Sequence, residues 1–388
     1  MRLLHTSDWH VGRTFHGVDL LADQERVLDH IAEIVVADGV DAVLVSGDVY
    51  DRAVPSAESV RVASRALQRI SDAGAQLVLT SGNHDSAARL GAFGAFAAAG
   101  GLHLRTGIGE LADPVELHDE HGPVAVYGIP YLEPEPVRHA WGIDGRGHSA
   151  VLDEALRRIR ADLACREAAR SVVLAHAFVT GAEASGSERT IEVGGVEQVP
   201  AAVFDGVDYV ALGHLHGPQR VTGNVRYSGS PLAYSFAERT DRKSVWLVDL
   251  DATGLAEVTR RELPVPRALA TVTGSLDELL TAEDYAELAE CYLSATLTDP
   301  VRPVDAMRKL RERFPHAVHL EWQPEGGGTQ VTLRYAQVVR GRSDREIAGH
   351  FVRDCRGAEP TGSEADLLTE ALAWAGRADQ AGSRGDAR

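Results

Sequence analysis

Short apolar runs and amphipathic segments alternate along the first two thirds of the chain. Runs rich in valine, leucine and alanine predict buried strands at residues 40–46, 75–80, 123–129, 171–175 and 207–212. Between them, apolar residues recur at helical spacing and predict helices over residues 24–36, 57–70 and 151–169. Strands that alternate with helices are typical of an α/β layer structure.

From residue 221 to residue 248 the pattern changes to strands and turns, with Asn224, Gly229 and Pro231 between them. A sandwich of two sheets with helices on its outer faces accommodates both patterns. We therefore expect an α/β (α+β) fold with four layers in the order α/β/β/α.

A smaller unit is predicted after Pro264 and Pro266, which restrict the chain to extended geometry. Its pattern predicts a β-α-β-α-β module with a capping box from Ser275 to Glu278, followed by a turn at residues 325–328. An amphipathic terminal helix is expected over residues 363–375 and a disordered tail over residues 376–388. The predicted division is 1–264, 267–340 and 341–388.

Length and composition exclude several classes of protein. The chain has 388 residues, of which 44% are hydrophobic and 25% are charged, as in ordinary globular proteins. No apolar run approaches the ~20 residues that cross a membrane. The first apolar run begins almost at Met1, which leaves no room for a signal peptide. Three cysteines are too few for a disulfide framework or a zinc cluster, so we expect a cytoplasmic protein without membrane contact.

The formal net charge is −18. Taken alone, this value argues against a partner that is held by bulk positive charge, such as nucleic acid. It does not exclude one, because a site that gathers carboxylates around divalent cations adds to the acidic count while the bound ions offset it locally.

Polar clusters follow directly on five apolar runs, the first of which lies at residues 3–7. Functional groups of α/β sheets gather at the carboxyl ends of strands. Carboxylates, amides and imidazoles bind divalent metals, and residues two apart in an extended segment point the same way. The clustered residues are Asp8 and His10, Asp48, Asn83 with His84 and Asp85, His176, and His214 with His216.

Each of these clusters is weak when taken singly, because a lone Asp or His at a strand end is usually a cap or a satisfied polar group. The ordered set D-x-H, G-D, G-N-H-D, H and G-H-x-H, each after an apolar run, supports the hypothesis of a metal site.

The ordered set resembles that of the calcineurin-like metallophosphoesterases over about residues 1–240. Segments TSDWHVG at 6–12, SGDVYD at 46–51 and YSGSPL at 227–232 are similar to those of the SbcD family, the nuclease subunits of the bacterial SbcCD complex. The small module after Pro266 resembles the capping domain of that family. The expected fold is thus a metallophosphoesterase sandwich with a capping domain and a terminal helix.

The resemblance implies a role for each matching residue. It assigns His84 as the catalytic histidine, which contacts the scissile phosphate and helps the leaving oxygen. Asp48 bridges two divalent metal ions per chain and so belongs to both the catalytic and the metal-binding sets. The family favours Mn²⁺, although the mixed nitrogen and oxygen ligands also suit iron, zinc or cobalt. The remaining ligands are Asp8, His10 and His216 for one metal, and Asn83, His176 and His214 for the other.

Two acidic residues near these motifs lie outside this ligand set. Archaeal and eukaryotic relatives carry a histidine three residues after the bridging aspartate, where this chain has Asp51. An acidic residue there supports the bacterial assignment. Asp85 is expected to cap the following helix or, as a second choice, to orient His84.

Three further surfaces have two interpretations each. The arginines at 61, 65 and 69 lie on one helical face, either as a solvated face or as a track for the DNA backbone. Residues 91–101 form either a homodimer surface, as the resemblance implies, or a core helix. The terminal helix either docks on the protein itself or binds the base of the coiled coil of a partner ATPase.

The resemblance thus predicts a two-metal DNA phosphodiesterase in DNA repair, recombination and replication. The expected activities are an ATP-dependent 3′-to-5′ double-strand exonuclease and a single-strand and hairpin endonuclease. The expected substrates are duplex DNA ends and hairpins, and the assembly is a homodimer within a heterotetramer with an SbcC-like ATPase. Two alternatives stay open: a phosphodiesterase for cyclic nucleotides or nucleotide sugars, and a non-catalytic metal-binding module.

Overall fold

The computed structural model describes residues 1–167, 169–179, 181–183, 199–324, 342–356 and 358–382. It divides into two compact units, Met1–Pro266 and Arg267–Arg388. The predicted turn at residues 325–328 and the finer domain boundary at residue 340 lie outside the described residues. None of the described helices combines the length and the apolar character that crossing a lipid bilayer requires.

The first unit contains two six-stranded sheets. The first sheet has the order β14-β13-β1-β4-β5-β6, in which β1, β4, β5 and β6 are parallel and β13 is antiparallel to β1. Its strands are β1 (Arg2–Thr6), β4 (Ala42–Ser46), β5 (Gln76–Thr80), β6 (Leu102–Arg105), β13 (Ser244–Asp251) and β14 (Gly254–Glu262). A separate two-stranded ribbon joins β2 (Thr14–Phe15) and β3 (Val18–Asp19).

The second sheet has the order β11-β12-β10-β9-β8-β7, with β8, β9, β10 and β12 parallel. Its strands are β7 (Val115–Asp119), β8 (Gly122–Ile129), β9 (Arg170–His176), β10 (Tyr209–Gly213), β11 (Gln219–Arg220) and β12 (Val225–Tyr227). The α-helices of the first unit are α1 (Leu21–Asp38), α2 (Ala57–Asp72), α3 (Ala87–Leu90), α4 (Gly94–Ala98), α5 (Pro134–Trp141) and α6 (Gly147–Leu163).

Alternate residues of the strands enter two different cores. Val172 and Leu174 of β9 pack between the two sheets, whereas Val173 and Ala175 pack toward α6. Both faces of these strands are therefore buried, which explains their uninterrupted apolar runs. On the first sheet, α1 packs on α2, and α2 contacts β5. The predicted α/β sandwich is confirmed.

The helix predicted over residues 151–169 begins earlier and ends earlier than expected. It runs from Gly147 to Leu163, and the chain turns before β9 begins at Arg170. Polar residues at its start hide the apolar period there, and the turn into the strand ends the helix.

The second unit has the predicted β-α-β-α-β order. Its strands β15 (Leu269–Gly274), β16 (Tyr292–Leu297) and β17 (Ala317–Trp322) form a parallel sheet in that order, joined through α7 (Leu276–Thr281) and α8 (Ala306–Arg313). Fully buried side chains of Leu279, Leu293, Leu310 and Phe314 lie in its core. The Ser275 hydroxyl accepts a hydrogen bond from the Glu278 backbone N–H, as the capping pattern predicts.

Two helices follow, α9 (Asp344–Arg356) and α10 (Gly362–Gly382). The prediction of disorder from residue 376 is wrong for residues 376–382, which continue α10. The stretch contains alanine, arginine and glutamine, which favour helix, and extending an existing helix needs no new nucleus. Residues 383–388 lie outside the described part.

Candidate active site

The carboxyl ends of five strands, β1, β4, β5, β9 and β10, bring the predicted residues together. Strand β4 of the first sheet contacts β9 and β10 of the second, so the loops after these strands meet at one edge of the sandwich. The metal-ligand candidates on these loops are at most 4% exposed, except for Asn83, which is half-buried; the buried ones are Asp8, His10, Asp48, His176, His214 and His216. Charged and polar groups buried at this density need partners, which here are one another.

The backbone beneath these side chains is strained. Asp8, His10 and Asp48 have φ values of 53°, 45° and 51°, and His214 has 108°. Left-handed conformations are costly for residues other than glycine and cluster at functional sites. Hydrogen bonds between the loops hold these residues in place. The Asp8 carboxylate accepts the His214 N–H at 3.1 Å, and the His10 N–H donates to the Asp48 carbonyl at 2.9 Å.

Glycines allow this close approach of the loops. A Cβ atom on Gly82 would lie 2.1 Å from Asp48 Oδ1, and one on Gly47 would lie 2.5 Å from His176 Nδ1. A side chain at either position would displace Asp48 or His176, so the glycines of the G-D and G-N-H-D motifs are steric requirements of the site.

The ligand atoms converge in three groups. The members of each group offer atoms within 4.8 Å of one another: Asp8, His10 and His216; His10, Asp48 and His84; and Asp8, Asp48 and His176. The Asp48 carboxylate is shared, because its Oδ2 lies 3.5 Å from His10 Nε2 and 3.4 Å from His176 Nε2.

The other predicted ligands lie beside these groups. His10 Nε2 and His216 Nε2 are 3.1 Å apart, and Asn83 Oδ1 lies 2.9 Å from His176 Nε2. His214 belongs to none of the three groups, but its ring centroid is 5.3 Å from that of His176. Convergent imidazole, carboxylate and amide donors around a shared carboxylate fit divalent cations.

Burial and mutual charge shift the protonation equilibria. Burial raises the pKa of Asp8 to about 6. Burial also opposes ionisation of Asp48, but the neighbouring His176 and His10 hold the pKa of Asp48 well below its usual range. Burial lowers the pKa of His176, yet the Asp48 carboxylate outweighs it and raises that pKa to about 9. In the absence of a cation, Asp48 and His176 therefore form a buried ion pair, and a bound cation would replace the proton.

His84 is fixed by two backbone contacts. Its N–H donates to Asp48 Oδ1 at 2.8 Å, and its Nδ1 lies 2.8 Å from the Asp51 carbonyl oxygen. A carbonyl can only accept, so Nδ1 carries a proton, and proton transfer between this ring and another group would involve Nε2. The Asp51 carboxylate lies 3.9 Å from the Nδ1 atoms of both His10 and His84.

The expectation that Asp85 caps the following helix is wrong. Helix α3 begins at Ala87, after Ser86. The Asp85 carboxylate instead accepts three backbone N–H groups, from Val49 at 3.1 Å, Tyr50 at 2.9 Å and Gly82 at 3.0 Å. These N–H groups lie in the loops after β4 and β5, where no neighbouring strand accepts their hydrogen bonds. Asp85 therefore ties the Asp48 loop to the Asn83 loop.

Sequence reasoning missed the residues that hold the first loop. Gln24 of α1 donates to the His10 carbonyl at 2.8 Å and accepts the Gly12 N–H at 2.9 Å. The Tyr234 hydroxyl donates to the Trp9 carbonyl at 2.5 Å. Gln24 is a polar residue on the apolar face of a helix, and this break in the pattern was the available signal.

The arginines of α2 form ion pairs with nearby acidic residues. Arg69 pairs with Asp29 at 2.5 Å and Arg65 pairs with Glu25, both on α1, while Arg61 pairs with Glu58 at 2.7 Å. The three arginines therefore form a solvated face of α2, which is joined to α1 by two ion pairs.

The segment 91–101 is not a core helix. The side chains of Phe93 and Phe96 are 80% and 81% exposed. On α10, Leu367 and Trp374 are 65% and 69% exposed.

Comparisons with known proteins show which families this chain resembles. A family model described as calcineurin-like phosphoesterase matches residues 1–218. A second model, SbcD_C, described as Type 5 capsule protein repressor C-terminal domain, matches residues 265–355. In this order on one chain, the two matches fit an SbcD nuclease subunit.

Two solved structures are also similar. The structure of TT1561 of Thermus thermophilus is 15% identical, with 67% of this chain and 98% of that chain covered and a TM-score of 0.40. A dimetal phosphatase from Danio rerio is 13% identical, with 68% and 99% covered and a TM-score of 0.40.

The first family match covers more than half of the chain and includes the carboxyl ends of β1, β4, β5, β9 and β10 with all the candidate ligands that follow them. The chain belongs to the calcineurin-like phosphoesterase family.

Proposed function

We propose that this phosphoesterase is a two-metal DNA phosphodiesterase, the nuclease subunit of an SbcCD-like complex. The observation that carries the proposal is the Asp48 carboxylate, which lies between His10 Nε2 and His176 Nε2 at 3.5 and 3.4 Å. One carboxylate between two ligand groups is what a pair of closely spaced dications needs. The C-terminal match favours DNA over a small substrate, because it adds the second domain of a nuclease subunit.

One proposed ligand set is an observed group, and the other is built around His176 from residues that lie beside it. Asp8, His10 and His216 would hold one cation, and Asn83, His176 and His214 would hold the other, with Asp48 shared. When bound, two such cations lower the pKa of water and stabilise charge on the phosphate oxygens. The nitrogen and oxygen donors without thiolate suit Mn²⁺.

The chain itself holds the proton for the leaving oxygen. His84 Nδ1 donates to the Asp51 carbonyl, so a proton for the departing DNA oxygen must come from Nε2. The ring gives that proton when both of its nitrogens are protonated, and it is left as the neutral Nδ1–H tautomer. Asp48 accepts the backbone N–H of His84 and thereby couples the position of this ring to the metal ligands. His84 is only 7% exposed, which limits competing exchange with bulk water.

The net charge of −18 implies that DNA is not held by bulk attraction. We place the ATP-dependent double-strand exonuclease and hairpin endonuclease activities in an assembly with an SbcC-like ATPase, acting in DNA repair, recombination and replication. Phe93 and Phe96 support a homodimer surface, and Leu367 and Trp374 support docking of α10 on the partner's coiled coil, because large apolar side chains this exposed mark contact surfaces.

The test is cleavage of end-labelled linear and hairpin duplex DNA with Mn²⁺, with and without the ATPase. The wild-type chain is compared with Asp48→Asn and with Asp72→Asn, a matched change at a carboxylate on α2, away from the site. Cleavage by wild type and Asp72→Asn but not by Asp48→Asn supports the proposal.

A chromogenic phosphodiester and cyclic nucleotides in the same assay separate the alternatives. Hydrolysis of cyclic nucleotides without DNA cleavage in the presence of the ATPase would show a small-molecule enzyme. Failure to bind two Mn²⁺ ions would favour a non-catalytic module.

A further inference from the structure

A buried ion pair stands behind one of the proposed ligands. Glu238 ends a short 3-10 turn, Phe236–Glu238, and its side chain is fully buried. Lys243, one of the two lysines of the chain, has a side chain 3% exposed and donates to Glu238 Oε2. These residues lie outside every motif that the sequence analysis singled out.

The pair contacts His216 at both its side chain and its backbone. Glu238 Oε1 lies 3.6 Å from His216 Nδ1. Lys243 Nζ donates to the His216 carbonyl at 2.9 Å and to the Ser230 hydroxyl at 3.2 Å. With Glu238, these contacts satisfy all three ammonium donors. The pair therefore restrains both the ring and the main chain of one residue.

A role in stability alone explains such a pair poorly. Taking two charges out of water is costly, and apolar residues of similar volume often serve stability equally well. His176, another proposed ligand, has a backbone carbonyl behind its Nδ1, that of Ser46 at 2.9 Å. A carboxylate behind an imidazole fixes its tautomer and increases the basicity of the opposite nitrogen.

We propose that Glu238 and Lys243 are positioning residues that hold His216 with Nδ1 toward the carboxylate and Nε2 toward the cation shared with Asp8 and His10. The inference rests on the ligand role of His216 in the proposed function. It predicts that one of the two metal ions depends on this ion pair and that the other does not.

The test is Mn²⁺ binding by the full-length, metal-free chain, measured by equilibrium dialysis and by electron paramagnetic resonance. The variant Glu238→Gln/Lys243→Met removes both charges and leaves no buried charge unpaired. The control, Asp119→Asn/Arg170→Met, removes a buried ion pair at the opposite end of β9 and also takes the carboxylate from the Met1 ammonium, which lies 2.7 Å from Asp119. It is therefore at least as severe a change in buried charge, made away from the site. Urea unfolding of the metal-free proteins reports stability.

Wild type and control should bind two ions that give a spin-coupled signal. In the Glu238/Lys243 variant, one of the two ions should bind about 10- to 100-fold more weakly, while the affinity for the other stays unchanged. At limiting Mn²⁺, the resonance signal should then be that of an isolated ion. Unchanged affinity and coupling in that variant would overturn the inference and leave the proposed function standing. A wild-type chain that binds no Mn²⁺ would overturn both. If the double variant does not fold, the single variant Glu238→Asp decides by the same criteria, because it keeps a negative charge beside Lys243 and draws the carboxylate back from His216.

Discussion

The two units of this chain both contain parallel strands joined by helical crossovers, yet their strand ends differ. In the first unit, the loops after β1, β4 and β10 carry buried ionisable groups on left-handed backbone. In the second unit, Asp299 lies in the loop after β16, and its contacts are ordinary: its carboxylate accepts the Leu276 N–H at 2.8 Å, and its carbonyl accepts the Trp322 Nε1–H at 2.8 Å.

The carboxyl end of a parallel strand is therefore a place where a site can form, and not a site in itself. Asp299 satisfies the start of a helix, whereas Asp48 is shared by two imidazoles and has its pKa held down by them. The first unit differs because carboxylate, imidazole and amide groups from several loops converge there and are one another's nearest polar neighbours.

The largest effect among these should come from the proton donor. His84→Gln keeps a polar side chain of similar size but cannot give a proton to a leaving oxygen, so DNA cleavage with Mn²⁺ should fall about 10²- to 10⁴-fold. Mn²⁺ stoichiometry, measured by equilibrium dialysis, should remain that of wild type. Cleavage within a few fold of wild type would contradict the assigned role.

Metal affinity should rise with pH. Because the Asp48 carboxylate raises the pKa of His176 to about 9, a proton must leave His176 before its nitrogen binds a cation. Between about pH 6 and pH 9, Mn²⁺ affinity should increase by about tenfold per pH unit, and it should level off above that range. Below about pH 6, protonation of Asp8 should make the dependence steeper. Titration calorimetry at several pH values measures it, and a flat profile would refute the ion pair.

Loosening the link between two site loops should have a smaller effect. Asp85→Asn leaves one carbonyl oxygen for three backbone N–H groups, so the free energy of unfolding should fall by about 1–3 kcal/mol. Urea denaturation without metal measures the loss. Mn²⁺ affinity should also weaken, because the Asp48 loop and the Asn83 loop lose their link; unchanged affinity would contradict this role of Asp85.

The same substitution at the strand end of the second unit should do least. Asp299→Asn weakens the hydrogen bond to the Leu276 N–H and should cost about 1 kcal/mol of stability. Mn²⁺ binding and DNA cleavage should stay within about twofold of wild type. A large loss of metal binding would show that the contrast between the two units is wrong.

Local pattern predicted most of the fold, because strands buried on both faces, such as β4 and β9, leave uninterrupted apolar runs. The candidate site residues were found because they follow those runs directly. The role of Asp85 could not be predicted, since the N–H groups that it accepts lie 36 and 35 residues away in another loop. Glu238 and Lys243 were missed for the same reason: only tertiary structure brings them to His216.

The most direct test of the central claim is the number of Mn²⁺ ions bound per chain by wild type, Asp48→Asn and Asp299→Asn, measured by equilibrium dialysis. The shared carboxylate predicts two ions for wild type and for Asp299→Asn, and loss of the pair in Asp48→Asn. Two ions in Asp48→Asn with unchanged affinity, or none in wild type, would contradict it.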